Sequence, residues 1–258
     1  MHILLTNDDG VYAPGLFALA QSLAEIGEVT IVAPDRNWSA SGHVKTMHRP
    51  LRVNETNLRD GTLAYSTDGA PSDCVALALL GLVEKEIDLV VSGINPLANV
   101  GHDVTYSGTV TAAMEAAICG VPGFACSIDP PEGYKGDIDY RTVASLAASI
   151  IAQVMGCNHP KQLVLNMNFP SCPEDQIEGI AVTRLGLRVY RDSLVEREDP
   201  RGRNYYWIGG EAPTGVADPG TDIWALANNF VSITPLSLDL TDKGMLATLE
   251  AWDIKLKR

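Results

Sequence analysis

Residues 2–34, HILLTNDDGVYAPGLFALAQSLAEIGEVTIVAP, decide the fold. His2 to Thr6 and Val29 to Ala33 are short β-rich runs. Between them Leu16, Leu19, Ala20 and Leu23 recur at i, i+3, i+4 and i+7, the spacing of one helical face, and Gly27 supplies a stop. Strand, amphipathic helix and strand in so short a stretch is the pattern of a parallel sheet covered by helices. The alternation continues with strands at Ile87 to Ser92, Phe124 to Ser127 and Leu163 to Phe169. One further helix follows Pro71, and another starts at Ser107 with Val110, Ala113, Met114 and Ala117 inward. A third carries Val143, Leu146, Ala147, Ile150 and Val154. The expected architecture is a Rossmann-like, doubly wound, mostly parallel α/β sheet in a single domain over residues 1–258.

From about Thr183 the pattern changes. RVYRDSLVERE, the turn signal DPRG at 199–202 and RNYYWIGG read as a long antiparallel hairpin. Its polar and aromatic composition predicts that it projects. The tail VSITPLSLDL and the helical KGMLATLEAW either close the domain or embrace a neighbour, and Tyr205, Tyr206 and Trp207 on the hairpin favour the neighbour. Residues 183–258 are thus expected to form the hairpin and a C-terminal oligomerisation arm, in a homodimer or homotetramer.

The 258 residues are 46% hydrophobic and 20% charged, enough for a substantial core without staples. Lys and Arg number 19 against 32 Asp and Glu, a formal charge of -13, which opposes broad contact with a nucleic-acid duplex or an anionic membrane. A small phosphorylated molecule stays compatible, because one local cationic or dipolar site outweighs a diffuse field. Five cysteines, with no C-x-x-C and with Cys119 and Cys126 in apolar runs, read as reduced thiols of a cytoplasmic core. The N-terminus lacks the basic and long apolar stretches of a signal peptide, and no run reaches the length of a membrane span.

In an open α/β sheet, ligands bind beyond the carboxyl ends of the strands. Asp8 and Asp9 follow the first strand, Ser39 lies just past the second, and Asn95 follows the strand ending at Ser92. Adjacent carboxylates in a low-dielectric crevice repel unless a cation neutralises them. With a hydroxyl and an amide oxygen they make an all-oxygen shell suited to Mg²⁺, Mn²⁺ or Ca²⁺ rather than zinc. The plainer reading is that Asp8 or Asp9 caps the following helix. Ser107, Gly108 and Thr109 open the next helix, where N–H groups and hydroxyls hold a phosphate without Lys or Arg, although an ordinary N-cap looks the same. His43, His48 and His102 are loop histidines, of which His43 is best placed to reach a leaving group. Asn166 and Asn168 alternate on a strand and either support the crevice from beneath or are satisfied core amides.

NDDGVYAPG, APDRNWSASGH, VVSGIN with N-x-G-x-D, YSGTVTAAMEA, VTRLGLRVYRD, DPRGRNYYWIGG and VSITPL together resemble the stationary-phase survival protein E (SurE) family, in order from Met1 to about Asp242. The resemblance implies a metal-dependent phosphomonoesterase acting on nucleoside 5′- and 3′-monophosphates. It implies one divalent cation per subunit, Mg²⁺ or Mn²⁺, on Asp8, Asp9, Ser39 and Asn95. It also implies phosphate contacts at Ser107, Gly108 and Thr109 with Asn99 nearby, and a dimer or tetramer built partly by swapped C-terminal elements. The chain departs from the family where Leu97 replaces the second glycine of S-G-I-N-x-G-x-N, restricting φ and adding bulk beside the pocket. His102 stands where an acidic residue is common and Ala116 where glycine is common.

The expected chemistry is in-line attack by a metal-activated water, with His43 protonating the leaving oxygen. Direct attack by Asp8 or Asp9 is the alternative within the class. A zinc deacetylase is disfavoured because Thr6 and Asn7, not His, precede Asp8. A phosphoacceptor receiver is disfavoured because the acceptor Asp and the Lys it needs are missing from the matching strand ends. A non-catalytic nucleotide-binding or sensor protein with a decayed site, through Leu97, is the competing function.

Overall fold

The computed structural model describes residues 1–131, 134, 136–252 and 254–256. Its main sheet begins with β1 (His2–Thr6), whose five residues are all buried. Along β1 the side chains alternate: Ile3 and Leu5 meet the cluster under α1 (Pro14–Leu23) and α4 (Tyr140–Met155), while Leu4 meets the cluster under α2 (Pro71–Leu77). A strand covered on both faces has no polar side to show, hence the unbroken apolar run. The predicted face of α1 is the buried one, with Leu16, Leu19 and Leu23 fully enclosed. Each such leucine contributes roughly 1.5–3 kcal/mol of burial.

Parallel pairing links β1 to β2 (Glu28–Pro34) on one side and to β5 (Leu89–Asn95) on the other. Strands β6 (Gly123–Asp129) and β7 (Val164–Pro170) extend the parallel run beyond β5. The chain therefore leaves β1 in one direction and returns on its opposite flank at β5. The switch point that a doubly wound sheet uses for ligands lies at the β1 and β5 ends. Helix α3 (Gly108–Ile118) covers this part of the sheet, with Val110, Ala113 and Ala117 buried as predicted and Met114 half-buried.

Several boundaries and one placement differ from expectation. β5 runs to Asn95 rather than Ser92, because after an irregularity Asn95 pairs again with Ser127 of β6. Asn95 is thus held by the sheet and not by a loop. β3 (Val53–Asn57) and β4 (Leu63–Thr67), an antiparallel pair at one edge, carry too many polar residues to stand out in the sequence. At the other edge lie β8 (Gly179–Val182) and β11 (Phe230–Pro235). β11 contains the whole VSITP run, yet it pairs antiparallel with β7 and parallel with β8 in the same chain. That part of the tail closes its own domain rather than reaching for a neighbour, since the edge of β7 offers a ready ladder.

The hairpin is confirmed: β9 (Leu187–Glu198) and β10 (Asn204–Val216) form a separate two-stranded sheet. Its turn closes through the Gly202 N–H donating to the Asp199 carbonyl at 2.9 Å. Trp207 and Ile208 are exposed. α5 (Asp222–Ala227) packs under β11, whereas α6 (Lys243–Ala251) has no buried residue. The five cysteines are free as predicted, but only Cys74 and Cys126 are in the core. Cys119 and Cys157 are exposed and Cys172 is intermediate, because Cys119 follows the last turn of α3. Among the described residues no helix is long and apolar enough to cross a membrane.

Candidate active site

The chain turns sharply after β1. Asn7 locks the turn with both ends of its amide, donating to the Gly10 carbonyl at 3.0 Å and accepting the Gly10 N–H at 3.2 Å. Gly10 has φ +102, a conformation that disfavours a side chain, so D-D-G is a geometric requirement here. The turn leaves Asp8 buried at 3% exposure and Asp9 half-buried.

Asp8 meets the start of α3. The Thr109 hydroxyl donates to Asp8 Oδ1 at 2.7 Å. A Cβ on Gly108 would lie 2.8 Å from the Asp8 Cβ, so only glycine lets the helix come this close. Ser107 caps α3, its Oγ accepting the Val110 N–H at 3.1 Å, which leaves the hydroxyl proton free to donate elsewhere. The Thr109 hydroxyl proton is committed to Asp8, so what Thr109 has left for another ligand is its place on the first turn.

The segment after β2 covers this junction. The Trp38 N–H donates to the Asp8 carbonyl at 2.7 Å, Asn37 Nδ2 donates to Asp9 Oδ1 at 3.2 Å, and Asn37 Oδ1 accepts the Ser39 N–H at 2.8 Å. Ser39, Asn95 and Ser107 line one cavity of about 710 Å³. The Asn95 amide nitrogen donates to the Leu97 carbonyl, which leaves Asn95 Oδ1 as its free ligating atom.

Burial pushes the Asp8 carboxyl up, opposed first by the Thr109 hydroxyl and then by nearby backbone N–H groups. Burial, and then the charge of Asp8, push Asp9 up to about 7. No ion pair among the described residues involves either carboxylate. Two crowded acids with no cation partner, beside a hydroxyl and an amide oxygen, fit a hard divalent cation. Among the described residues no three His, Cys, Asp or Glu converge, so soft or imidazole-rich coordination has no donors here.

Asn99 is buried and heavily engaged. Its N–H donates to Asn168 Oδ1 at 2.8 Å, its carbonyl accepts from Asn166 and Asn168, and its Nδ2 donates to Ser127 Oγ at 2.8 Å. Asn166 and Asn168 thus support the crevice from beneath, one of the two readings their alternation left open. The loop's next anchor is the buried Asp222, which accepts the N–H of Gly101 at 2.8 Å and of Gly186 at 2.7 Å. Nothing in the sequence around Asp222 announced that role, because Gly186 and Gly101, the groups it ties together, are 36 and 121 positions away.

His43, in the segment that follows β2, meets α3 at a different place. Its Nε2 donates to Glu115 Oε2 at 2.9 Å, and Lys45 donates to the other oxygen at 2.8 Å. The Glu115 carboxyl is held below the usual range, by the His43 hydrogen bond first and by Lys45 after burial's opposing effect. Glu115 is two turns beyond Ser107, roughly 12 Å of helix rise. The His43 ring is thereby tied to the flank of α3 rather than to the Asp8 junction, and Nδ1 is the ring nitrogen left for other partners. Glu115 itself was missed, although it stands in YSGTVTAAMEA, because a lone acid in a helix reads as surface. His48 and His102 are exposed.

A doubly wound sheet whose switch point holds an acidic pair, neutral oxygen donors and a glycine-opened helix defines an α/β protein with a strand-end crevice site. The family model described as Survival protein SurE matches residues 3–192. The chain belongs to the SurE family. Its relatives include a protein of Herpetosiphon aurantiacus named 5′-nucleotidase SurE, 53% identical over 94% of this chain and 94% of that protein. A protein of the same name from Chloroflexus aggregans is 50% identical over 98% of this chain and 99% of its own length. The crystal structure of SurE protein from Aquifex aeolicus is similar in fold, with a TM-score of 0.82 and 38% identity over 98% of this chain and 100% of that one.

Proposed function

We propose that this protein is a 5′-nucleotidase, a metal-dependent phosphomonoesterase that releases phosphate from nucleoside 5′- and 3′-monophosphates. The observation that carries the reading is the contact of buried Asp8 with Thr109 and Gly108, which sets an uncompensated acidic pair against the first turn of α3. The names and near-complete coverage of the curated relatives support the nucleotidase class. Asp8, Asp9, Ser39 Oγ and Asn95 Oδ1 are the atoms that would hold one Mg²⁺ or Mn²⁺. Bound there, the cation supplies Lewis acidity toward a phosphoryl oxygen and toward the attacking water.

The chain's own groups do the rest. Asp8 and Asp9 balance the charge, and the Asn37 and Thr109 hydrogen bonds fix their orientation. The Ser107 hydroxyl and the positive end of the α3 dipole bind phosphate oxygens, with Gly108 allowing close approach. His43 is held through Nε2 on the flank of α3 with Nδ1 free, and it serves the departing nucleoside oxygen only if the 39–48 segment shifts toward the Asp8 junction when substrate binds. Asn99 holds the loop that follows Asn95.

Association with a second copy of the chain accompanies this reading, through the exposed hairpin and the exposed Leu246, Leu249 and Trp252 side of α6. A cytoplasmic location suits the free cysteines. Phosphate release is measured from a panel of nucleoside monophosphates with Mn²⁺, Mg²⁺ or EDTA, with Asp8→Asn as the blank. Release that EDTA and the substitution both abolish is expected. A folded protein that binds nucleotides but releases no phosphate in any metal overturns the enzyme in favour of a binding protein.

A further inference from the structure

Asp129 stands unused in the wall of the active-site cavity. It ends β6 and lines the same 710 Å³ space as Ser39, Asn95 and Ser107. The sheet sets its distance from the reacting end. Asn95 pairs with Ser127, so Asp129 lies two strand residues further out, roughly 7 Å along the strand. That is about the reach from a 5′-phosphate to the hydroxyls of its ribose.

A strand-end aspartate ordinarily satisfies its carboxylate with N–H groups of the residues just after it, in an Asx turn. Here Pro130 and Pro131 follow, and neither has an N–H to give. The Asp129 backbone is used in the ladder with β7, its carbonyl accepting the Ser171 N–H at 3.1 Å. No described residue donates a hydrogen bond to its side chain. The cation across the cavity, Arg188, is bound through Nε to Asp103 at 2.8 Å. Burial pushes the Asp129 carboxyl up, and Arg188 opposes this only by its charge. The D-P-P sequence therefore keeps an acceptor bare inside a ligand cavity, at a cost that donors on a ligand would offset.

We propose that Asp129 accepts hydrogen bonds from the ribose hydroxyls of a bound nucleoside 5′-monophosphate and so selects ribonucleotides over 2′-deoxyribonucleotides. The proposal rests on the nucleotidase reading of the site. A carboxylate suits this place because it only accepts, while a vicinal diol presents two donors side by side. The exposed rings and chains of Tyr106 and Leu97 on the cavity rim offer the base a surface but do not distinguish the sugars.

The test compares kcat/KM for adenosine 5′-monophosphate and its 2′-deoxy analogue in the wild type, Asp129→Asn and Asp129→Ala, with loaded metal. The ratio of the two substrates is the readout, because general damage to the fold moves both alike. The wild type is expected to favour the ribonucleotide by about tenfold or more, the scale of a hydrogen bond to a charged group. In Asp129→Ala the ratio falls toward one, and Asp129→Asn, which keeps one acceptor, lies between. A wild-type ratio near one, or a ratio that survives Asp129→Ala, overturns the assignment. Should no nucleotide be turned over, the nucleotidase reading fails, and the same ratio is then read from calorimetric dissociation constants of the two nucleotides. Equal affinities in wild type and Asp129→Ala would sink the sugar contact separately.

Discussion

Helix α3 touches two buried carboxylates that fare in opposite ways. At its N-terminus Asp8 receives hydroxyl and backbone hydrogen bonds but no cation, and with Asp9 it is pushed toward the neutral form. Two turns along, Glu115 is also buried but receives His43 and Lys45, and it is held firmly ionised. Burial is the leading influence on Asp8, whereas at Glu115 the His43 hydrogen bond outranks it, so depth and partners together make the difference. Glu115 is complete within the chain and serves the fold, clamping the 39–48 segment to the helix. The acidic pair is incomplete within the chain, and a fold tolerates such a pair where something from outside completes it.

Removing half of the incomplete pair gives the largest effect. Asp9→Asn is expected to lower kcat/KM by about a thousandfold, the scale of losing a principal electrostatic group at the reacting centre. The same substitution should raise the melting temperature of metal-free protein, since it removes a buried carboxyl that burial first, and the charge of Asp8 second, push up to about 7. Each 1 kcal/mol relieved shifts the transition by about 2–4 °C in a chain of this size. Added Mn²⁺ should stabilise the wild type strongly and the variant little. A variant that melts lower than wild type in EDTA would mean that the pair is internally satisfied, and the contrast with Glu115 would fail.

A substitution at His43 separates clamp from chemistry. If Nδ1 protonates the leaving oxygen, His43→Asn should lower kcat on nucleotides by about a hundredfold, within the usual range for a general acid. Turnover of p-nitrophenyl phosphate, whose leaving group needs no proton, should suffer far less. Equal losses on both substrates would leave His43 as part of the clamp alone.

Much of this was legible in the sequence where partners are close along the chain or where backbone periodicity repeats. The α1 face, the β1 run, the D-D-G turn and the Ser107 cap are of that kind. The edge strands β3 and β4 were not, since one face of an edge pair is solvated and loses the apolar signature. Nor were Glu115 and Asp222, whose roles as anchors come from backbone and side chains brought in from 36 to 121 residues away. The strand-end positions marked Asp8, Asp9, Ser39 and Asn95 as candidate ligands and the family resemblance agreed, whereas the geometry supplied the reason why Gly108 and Thr109 must be what they are.

The clamp predicts a smaller, pH-dependent effect. Glu115→Gln replaces an ionised acceptor by a neutral amide between His43 and Lys45, and it should cost about 1–3 kcal/mol at neutral pH. The Glu115 carboxyl is depressed in the fold, so its contribution is complete above its ordinary value of 4.5 and is lost as pH falls through the lower folded value. Wild type and variant should therefore differ most in urea midpoint above pH 5 and converge in more acid solution. A gap that widens on acidification would reverse the sign and refute the clamp.

Leu97 gives the smallest effect and decides whether the loop's departure from its family has altered the site. The side chain is 65% exposed, so little packing is lost on truncation. Its backbone does more, because its carbonyl receives the Asn95 amide and so turns Asn95 Oδ1 toward the cavity. Glycine at this position would relieve bulk on the rim but add backbone freedom worth about 0.5–1 kcal/mol. The second term outweighs the first, since an exposed leucine obstructs little. Leu97→Gly is accordingly expected to lower kcat/KM by about two- to fivefold, through a looser Asn95 and weaker metal binding, with KM for the nucleotide little changed. A tenfold rise in kcat/KM instead would show that the leucine blocks the cavity, and the chain would then stand closer to a nucleotide-binding protein than to an efficient nucleotidase.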